Sequence, residues 1–188
     1  DIIKARPQLS FSVKMRLGWE NAEEWMPVLD ILNDTPLTHI ALHPRTGTQQ
    51  YKGSIDEGAF EQFYENCRHP LLYNGDLTTL KQLHEIEERY PQLGGLMIGR
   101  GLLARPSLAQ EYAEGGEWSH EEHIRILRML HTKLMEEYAR IVKGDAQLHN
   151  KLRSYWEYTE PLIGHKPYKK IMKSGNLRNY LNAIEELR

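Results

Sequence analysis

The chain has 188 residues, of which 40% are hydrophobic and 27% are charged, and its formal net charge is −2. This length suffices for one medium domain or two small ones, and the composition is typical of a globular protein. No apolar run reaches the roughly 18 residues of a membrane span, and the N-terminal segment lacks the apolar core of a signal peptide. The single cysteine, Cys67, excludes an internal disulfide and favours a cytoplasmic location.

The net charge conceals an uneven distribution along the chain. Residues 1–117 carry 11 basic and 17 acidic side chains, whereas residues 118–188 carry 13 basic and 9 acidic ones. One stretch of the basic segment contains no acidic residue, and its cationic residues are Lys166, Lys169, Lys170, Lys173 and Arg178. A basic segment on an acidic body indicates an anionic macromolecular partner, although a solvated basic helix face would give the same pattern.

Strands and helices alternate in the first part of the chain. The four predicted strands are Phe11–Leu17, Thr38–Leu42, Pro70–Tyr73 and the apolar run Leu96–Ile98. Helical stripes of apolar residues separate them, and capping boxes are predicted at Asn21 with Glu24 and at Ser54 with Glu57. This alternation predicts an α/β fold with a parallel sheet and right-handed crossovers.

The last part of the chain, residues 118–188, is predicted to be entirely helical. Ser119 begins a long helix that ends at Gly144, and a second helix is stopped at Pro161. A basic helix follows, and Asn176 caps the last one. The pattern predicts a small helical bundle.

Polar residues cluster where each predicted strand ends. The four pairs are Lys14 and Arg16, His43 and Arg45, Asn74 and Asp76, and Gly99 and Arg100. Ligands of parallel sheets bind at the carboxyl ends of the strands, so this edge is the predicted binding site. A glycine turn followed by an arginine suits a phosphate group.

Four ordered motifs resemble the second half of the tRNA-dihydrouridine synthases. They are SVKMRLGW (Ser12–Trp19), HPRTGTQQYKG (His43–Gly53), YNGD (Tyr73–Asp76) and MIGRGLLARP (Met97–Pro106). The resemblance implies that residues 1–115 are strands five to eight of an FMN-binding (β/α)8 TIM barrel. Residues 116–188 would be the small all-α domain that binds tRNA, and the first half of the barrel is expected to be missing.

The resemblance implies that FMN binds at the strand ends, with NADPH as the reductant. Lys14 would face the N1–O2 edge of the flavin, where a cation stabilises the anionic reduced form. His43 would lie near the ring or the phosphate-side oxygens. The alternatives are a solvent-exposed lysine beside a core strand and a structural histidine.

The phosphate side of the cofactor is implied to contact the last two strand ends. Asn74, Gly75 and Asp76 would hold the ribityl or phosphate region, and Gly99 with Arg100 would complete the phosphate site. Asp76 could instead cap the helix that follows it.

Substrate contacts are implied for Arg45, which could bind the uracil base or a tRNA phosphate or form a surface salt bridge. Its motif reads HPRT here, whereas many family members have glycine at the position of Pro44. The RNA-binding surface of the helical domain would consist of Lys166, Lys169, Lys170 and Lys173, which could follow a phosphate backbone. The target uridine would leave the tRNA fold to stack on the flavin.

The family's general acid is a cysteine in a GCP motif, which protonates uracil C5 as hydride moves between flavin N5 and C6. No GCP occurs in this sequence, so no catalytic residue is assigned within it and the cysteine is expected upstream of Asp1. Cys67 lies on an apolar stripe and is predicted to be a core residue. We expect no metal site, weak or no FMN retention and no activity from this chain alone.

Two other functions fit the same residues. One is an FMN-dependent TIM-barrel oxidoreductase of a small molecule, similar to dihydroorotate dehydrogenase, against which the basic segment argues. The other is a non-catalytic half-barrel that self-associates through its open sheet edges.

Overall fold

The structure is a computed structural model that describes residues 2–187, so the predicted domain limits at residues 1 and 188 lie outside it. The chain forms two compact units. The first comprises residues 2–77 and 83–98, and the second comprises residues 78–82 and 99–187.

A four-stranded parallel sheet forms the centre of the first unit. Its strands are β1 (Val13–Gly18), β2 (Ile40–Thr46), β3 (Leu71–Tyr73) and β4 (Gly95–Leu96), and they follow one another in sequence order across the sheet. Val13 is in register with Ile40, and Ile40 is in register with Leu71. The predicted parallel α/β arrangement is therefore confirmed.

Helices are connected to these strands in the order predicted. They are α1 (Ile2–Ala5), α2 (Met26–Asn33), α3 (Glu57–Asn66) and α4 (Leu80–Arg89). The buried ring of Phe60 on α3 packs edge-on against Tyr73 of β3, with 4.8 Å between the centroids. This contact identifies the apolar face of the sheet, because Tyr73 shares its face with Leu42, which is also buried.

Two of the predicted helix starts differ in the structure. The Glu24 carboxylate accepts backbone N–H groups of Trp19, Glu20 and Asn21, yet α2 begins only at Met26. The predicted cap at Ser54 is wrong, because the Asp56 carboxylate accepts the Ala59 N–H at 2.9 Å. Both serine and aspartate are good N-caps, and spacing alone does not choose between neighbours.

The second unit is helical, as predicted for most of it. Its helices are α5 (Arg100–Ala104), α6 (Leu108–Glu114), α7 (His120–Ile141), α8 (Asp145–Arg153), a 3-10 turn (Ser154–Trp156), α9 (Glu160–Ile163), α10 (His165–Met172) and α11 (Leu177–Glu185). The capping box of Ser119 and the cap at Asn176 are confirmed. The core contains Leu127, Leu152 and Trp156, each fully buried.

Pro161 and Gly144 mark starts of helices rather than ends. Pro161 occupies the first turn of α9, where its missing N–H has no partner to lose, so the prediction that it stops a helix is wrong. The long helix already ends at Ile141, and Gly144, with φ of 87°, precedes α8. Across residues 2–187, we find no helix with the length and apolar character of a membrane span.

Candidate functional site

Polar side chains share the face of the sheet opposite Phe60. Arg16 on β1 is in register with His43 on β2, and Lys14 and Arg45 lie two residues away from them along the same strands. Asn74 follows β3 on the same side, because Leu72 is in register with Ala41. We call Lys14, Arg16, His43, Arg45 and Asn74 the polar face, and most of it lies at the carboxyl edge of the sheet.

The centre of this face is an ion pair between Arg45 and Asp76. The Arg45 side chain is only 2% exposed, and its Nη1 and Nη2 donate to the two Asp76 carboxylate oxygens at 3.0 and 2.5 Å. Nη2 also donates to the Gly53 carbonyl oxygen at 2.6 Å. The hydrogen bonds to Asp76 raise the pKa of Arg45, so this guanidinium is a permanent buried cation.

His43 lies beside this pair and is also buried. Its Nε2 is 3.2 Å from Nη1 of Arg45. Burial, followed by the charges of Arg16, Arg45 and Lys14, lowers the pKa of His43 to about 4, while Asp76 acts in the opposite direction. His43 is therefore neutral at physiological pH and is surrounded mainly by positive charge.

The loop after β2 folds back over Arg16. Nη1 of Arg16 donates to the carbonyl oxygens of Thr46 and Gln50, at 2.7 Å each, and the guanidinium lies 5.4 Å from the ring centre of Tyr51. The Tyr51 ring lies 6.1 Å from that of His43. Arg16 was predicted at the binding edge together with Lys14 but received no specific role, and Tyr51 was not identified from the sequence.

Asn74 and Gly75 connect neighbouring strands. The Asn74 backbone N–H donates to Leu42, and its side-chain Nδ2 donates to the Met97 carbonyl oxygen at 2.6 Å. A Cβ on Gly75 would lie 3.3 Å from Ile55 and from the Tyr73 hydroxyl, so the backbone there leaves little room for a side chain. These two residues fix the edge of the sheet that carries the polar face.

Comparison with known protein families identifies one family model that matches the chain. The family model described as Dihydrouridine synthase (Dus) matches residues 3–187, which is nearly the whole chain. The chain belongs to the dihydrouridine synthase family.

Individual relatives carry the same family name. A probable tRNA-dihydrouridine synthase of Rickettsia conorii is 31% identical over 114 residues, which are 58% of this chain and 34% of that protein. A tRNA-dihydrouridine(16) synthase of Haemophilus ducreyi is 32% identical over 57% of this chain and 32% of its own length. A tRNA-dihydrouridine synthase B of Vibrio parahaemolyticus is 25% identical over 93% of this chain and 52% of its own length. The chain thus spans one third to about half of these relatives.

The polar face of this dihydrouridine synthase chain has the donors that an anionic cofactor such as FMN requires. Nε of Arg45 is buried and has no hydrogen-bond partner among the described residues. Lys14 is exposed. Among the described residues, the three cations Lys14, Arg16 and Arg45 act on His43 against the single carboxylate of Asp76. Excess donors and positive charge fit the phosphate or the N1–O2 edge of a flavin.

Gly99 and Arg100, which the sequence assigned to the phosphate, begin the longer segment of the second unit. Gly99 is exposed and immediately precedes α5, and a Cβ at this position would meet no atom within 4 Å. The space that a side chain at position 99 would occupy is therefore empty. Their assignment to a cofactor phosphate stays a prediction, as do those of Asn74, Gly75 and Asp76.

The four lysines predicted to bind tRNA occupy one face of α10 and its end. Ile171 on the opposite side is buried in the helical core, and all four lysines are exposed; they are Lys166, Lys169, Lys170 and Lys173. We call them the basic face. Lys170 forms an ion pair with Glu186. This pair reduces the charge available at one of the four positions.

Proposed function

We propose that this chain is part of a tRNA-dihydrouridine synthase, which reduces uridine in tRNA to 5,6-dihydrouridine with FMN as cofactor and NADPH as reductant. The match of the family model to residues 3–187 is the observation that carries the proposal. The donor-rich polar face and the exposed basic face support it, because one suits a flavin and the other suits an RNA backbone.

Lys14 and His43 are the proposed ring-side residues of the cofactor site. Bound FMN would supply the hydride for the C5–C6 bond of uracil. The Lys14 ammonium would compensate negative charge on the cofactor, and neutral His43 would donate a hydrogen bond without adding charge. Asn74, Gly75, Asp76, Gly99 and Arg100 are proposed to surround the ribityl chain and phosphate.

We also propose that residues 1–115 correspond to strands five to eight of a (β/α)8 barrel and that residues 116–188 are a tRNA-binding helical domain. The sequence-order parallel sheet supports the first assignment, since a barrel repeats this arrangement eight times. Within the described residues, β1 and β4 are the sheet edges. Four further strands of a barrel would pair with β1 and β4. A second copy of this chain could pair with the same two edges instead.

Arg45 is proposed to act on the substrate side only indirectly. Its guanidinium is buried and already binds Asp76 and Gly53, so a uracil base or a tRNA phosphate would have to displace these partners. Arg16, which is in register with His43, is the better candidate for a substrate contact. This residue is partly exposed and lies under the aromatic ring of Tyr51.

The 188-residue chain by itself is proposed to be inactive. Its one cysteine, Cys67, follows α3 at the amino edge of the sheet, whereas His43 lies near the carboxyl edge. Burial raises the pKa of the Cys67 thiol, which lies 3.6 Å from the His69 carbonyl oxygen. Cys67 therefore has a structural position and is not placed to protonate a uracil at the polar face.

Binding of tRNA to the purified chain tests the proposal. We expect a gel shift with unmodified tRNA that weakens steeply as the salt concentration rises, because the contacts are ionic. A small-molecule oxidoreductase would give no shift, and this result would overturn the tRNA assignment. Flavin fluorescence on titration with FMN tests the cofactor separately, and Lys14→Met should weaken any binding that is found. Formation of dihydrouridine by the chain alone would contradict its proposed inactivity.

A further inference from the structure

The hydrogen-bond chain from Asp76 through Arg45 to His43 has a consequence for the histidine. A guanidinium has only donor groups, so Nη1 of Arg45 can approach Nε2 of His43 only when that nitrogen offers its lone pair. A neutral imidazole with an unprotonated Nε2 carries its proton on Nδ1.

We propose that Arg45 is a positioning residue, which is held by Asp76 and fixes His43 as a neutral imidazole with its proton on Nδ1. Arg45 can do this because it is immobile. Both terminal nitrogens bind the Asp76 carboxylate, one also binds the Gly53 carbonyl, and the side chain is almost completely buried. A planar fork with two fixed partners leaves Nη1 a single direction toward His43.

Asp76 supports this arrangement at a cost in backbone strain. Its φ is +42°, in the left-handed region that residues other than glycine rarely adopt. Residues held in this region are typical of sites where the surroundings determine the conformation. The left-handed turn brings the carboxylate to Arg45, which lies 31 positions earlier in the sequence.

The charged groups around His43 keep it in this state. Lys14 and Arg16 from β1 and Arg45 from its own strand oppose protonation, while Asp76 from the turn after β3 favours it. The Tyr51 ring also lies near the imidazole, with 6.1 Å between the two ring centres. The result is an Nδ1–H donor on an otherwise buried imidazole, which suits a hydrogen-bond acceptor such as a flavin carbonyl oxygen; this last role rests on the proposed function.

The tautomer can be measured without any cofactor. In a ¹⁵N-labelled chain at pH 7, long-range ¹H–¹⁵N correlation of the imidazole rings distinguishes the two neutral tautomers, and His43→Gln identifies the signals of His43. We expect the proton on Nδ1. A proton on Nε2 in the unsubstituted chain would overturn the proposal, and this measurement requires no folded variant of Arg45.

Two substitutions separate orientation from charge. Arg45→Lys keeps the positive charge but cannot bind both Asp76 oxygens and Nε2 together, so we expect a mixture of tautomers. Arg45→Gln also removes the charge, so the pKa of His43 should rise from about 4. Arg89→Lys is the matched control, because Arg89 pairs with Glu57 in the same unit and is not among the charged groups that shift the pKa of His43.

Retention of a single Nδ1–H tautomer in folded Arg45→Lys would contradict the positioning role. The outcome is independent of the proposed function. A chain that binds neither FMN nor tRNA can still show the predicted tautomer, and a chain that binds both can show the other one.

Discussion

The phenol oxygen of Tyr180 lies 2.7 Å from Nε2 of His131, and both side chains are buried in the helical unit. The same oxygen accepts the indole N–H of Trp156 at 2.8 Å. The indole nitrogen can only donate, so it occupies one lone pair of the Tyr180 oxygen and leaves the Tyr180 hydrogen free for an unprotonated Nε2 of His131. Two hydrogen bonds thus connect α7, α11 and the 3-10 turn.

Tyr180→Phe is expected to destabilise the helical unit by about 2–4 kcal/mol. The substitution leaves two buried polar groups, Trp156 Nε1 and His131 Nε2, without partners, and each costs roughly 1–3 kcal/mol. Urea unfolding followed by tryptophan fluorescence measures the loss. Tyr138→Phe is the control, since Tyr138 packs at the edge of the same core and its hydroxyl makes no hydrogen bond within residues 2–187. Equal effects of the two substitutions would contradict the prediction.

Protonation of His131 is expected to make the unit less stable in acid. Burial lowers the pKa of His131 to about 4, whereas an unfolded histidine titrates near 6.5. Between these values the unfolded state binds more protons, so the free energy of unfolding falls as the pH falls from 6.5 to 4. The contribution approaches roughly 3 kcal/mol at the lower limit.

The His131→Gln variant isolates this contribution. It should be less stable at pH 7 but should lose less stability than the unsubstituted chain between pH 6.5 and 4.5. Urea midpoints at several pH values provide the comparison. Parallel pH profiles of the two proteins would show that His131 does not cause the acid sensitivity.

Glu111 is expected to be the most sensitive acidic position of the second unit. Its carboxylate is fully buried and accepts three hydrogen bonds. The donors are Nε of Arg105 at 2.9 Å, the backbone N–H of Trp118 at 2.8 Å and Nε2 of His123 at 3.1 Å. Burial alone would raise the pKa of Glu111, but hydrogen bonds from Arg105 and Ser107 hold it below its usual range.

Glu111→Gln removes the buried negative charge and leaves the exposed Glu117 as the remaining carboxylate partner of Arg105 among the described residues. We expect a loss of about 3–5 kcal/mol, which is the usual cost of breaking a buried ion pair from one side. Thermal unfolding measures it. Glu114→Gln on the same helix is exposed and should cost less than 1 kcal/mol. A similarly small loss for Glu111→Gln would mean that the hydrogen bonds to the Glu111 carboxylate contribute little to stability.

Charge reversal on the basic face is expected to weaken tRNA binding. Lys166→Glu, Lys169→Glu and Lys173→Glu should each lower the affinity and reduce the slope of log affinity against log salt by about 1. Lys170→Glu should have an additional effect on stability, because Lys170 is paired with Glu186. Lys133→Glu, at an exposed position of α7, is the control and should leave the slope unchanged. Identical slopes for all five variants would remove the basic face from the tRNA site.

The sheet could be predicted from the sequence because its strands are short apolar runs between amphipathic helices. Three predicted strands overlap β1, β2 and β3, and the fourth run overlaps β4 at Leu96. Parallel connectivity then placed the polar residues at one edge. The buried state of Arg45 could not be predicted, because it depends on Asp76, a residue distant in sequence that adopts a left-handed conformation.

His123 shows the same limitation in the helical unit. His123 follows His120 by three residues on a polar stretch, a pattern that predicts a solvated side chain, but His123 is buried against Glu111. The partner belongs to a different helix, and helical periodicity carries no information about it. The cap at Ser119, by contrast, was predicted correctly, since its whole interaction with Glu122 lies within one turn.

The buried histidines also determine how much the net charge of the folded chain changes in mild acid. The sequence contains nine histidines, and the folded structure lowers the pKa of His43, His131 and His149. Burial is the main cause for each, so each of these rings gains less positive charge between pH 7 and pH 5 than an unfolded histidine does. In that interval the native chain should therefore gain fewer protons than its composition implies, and its electrophoretic mobility should change less than that of the unfolded polypeptide.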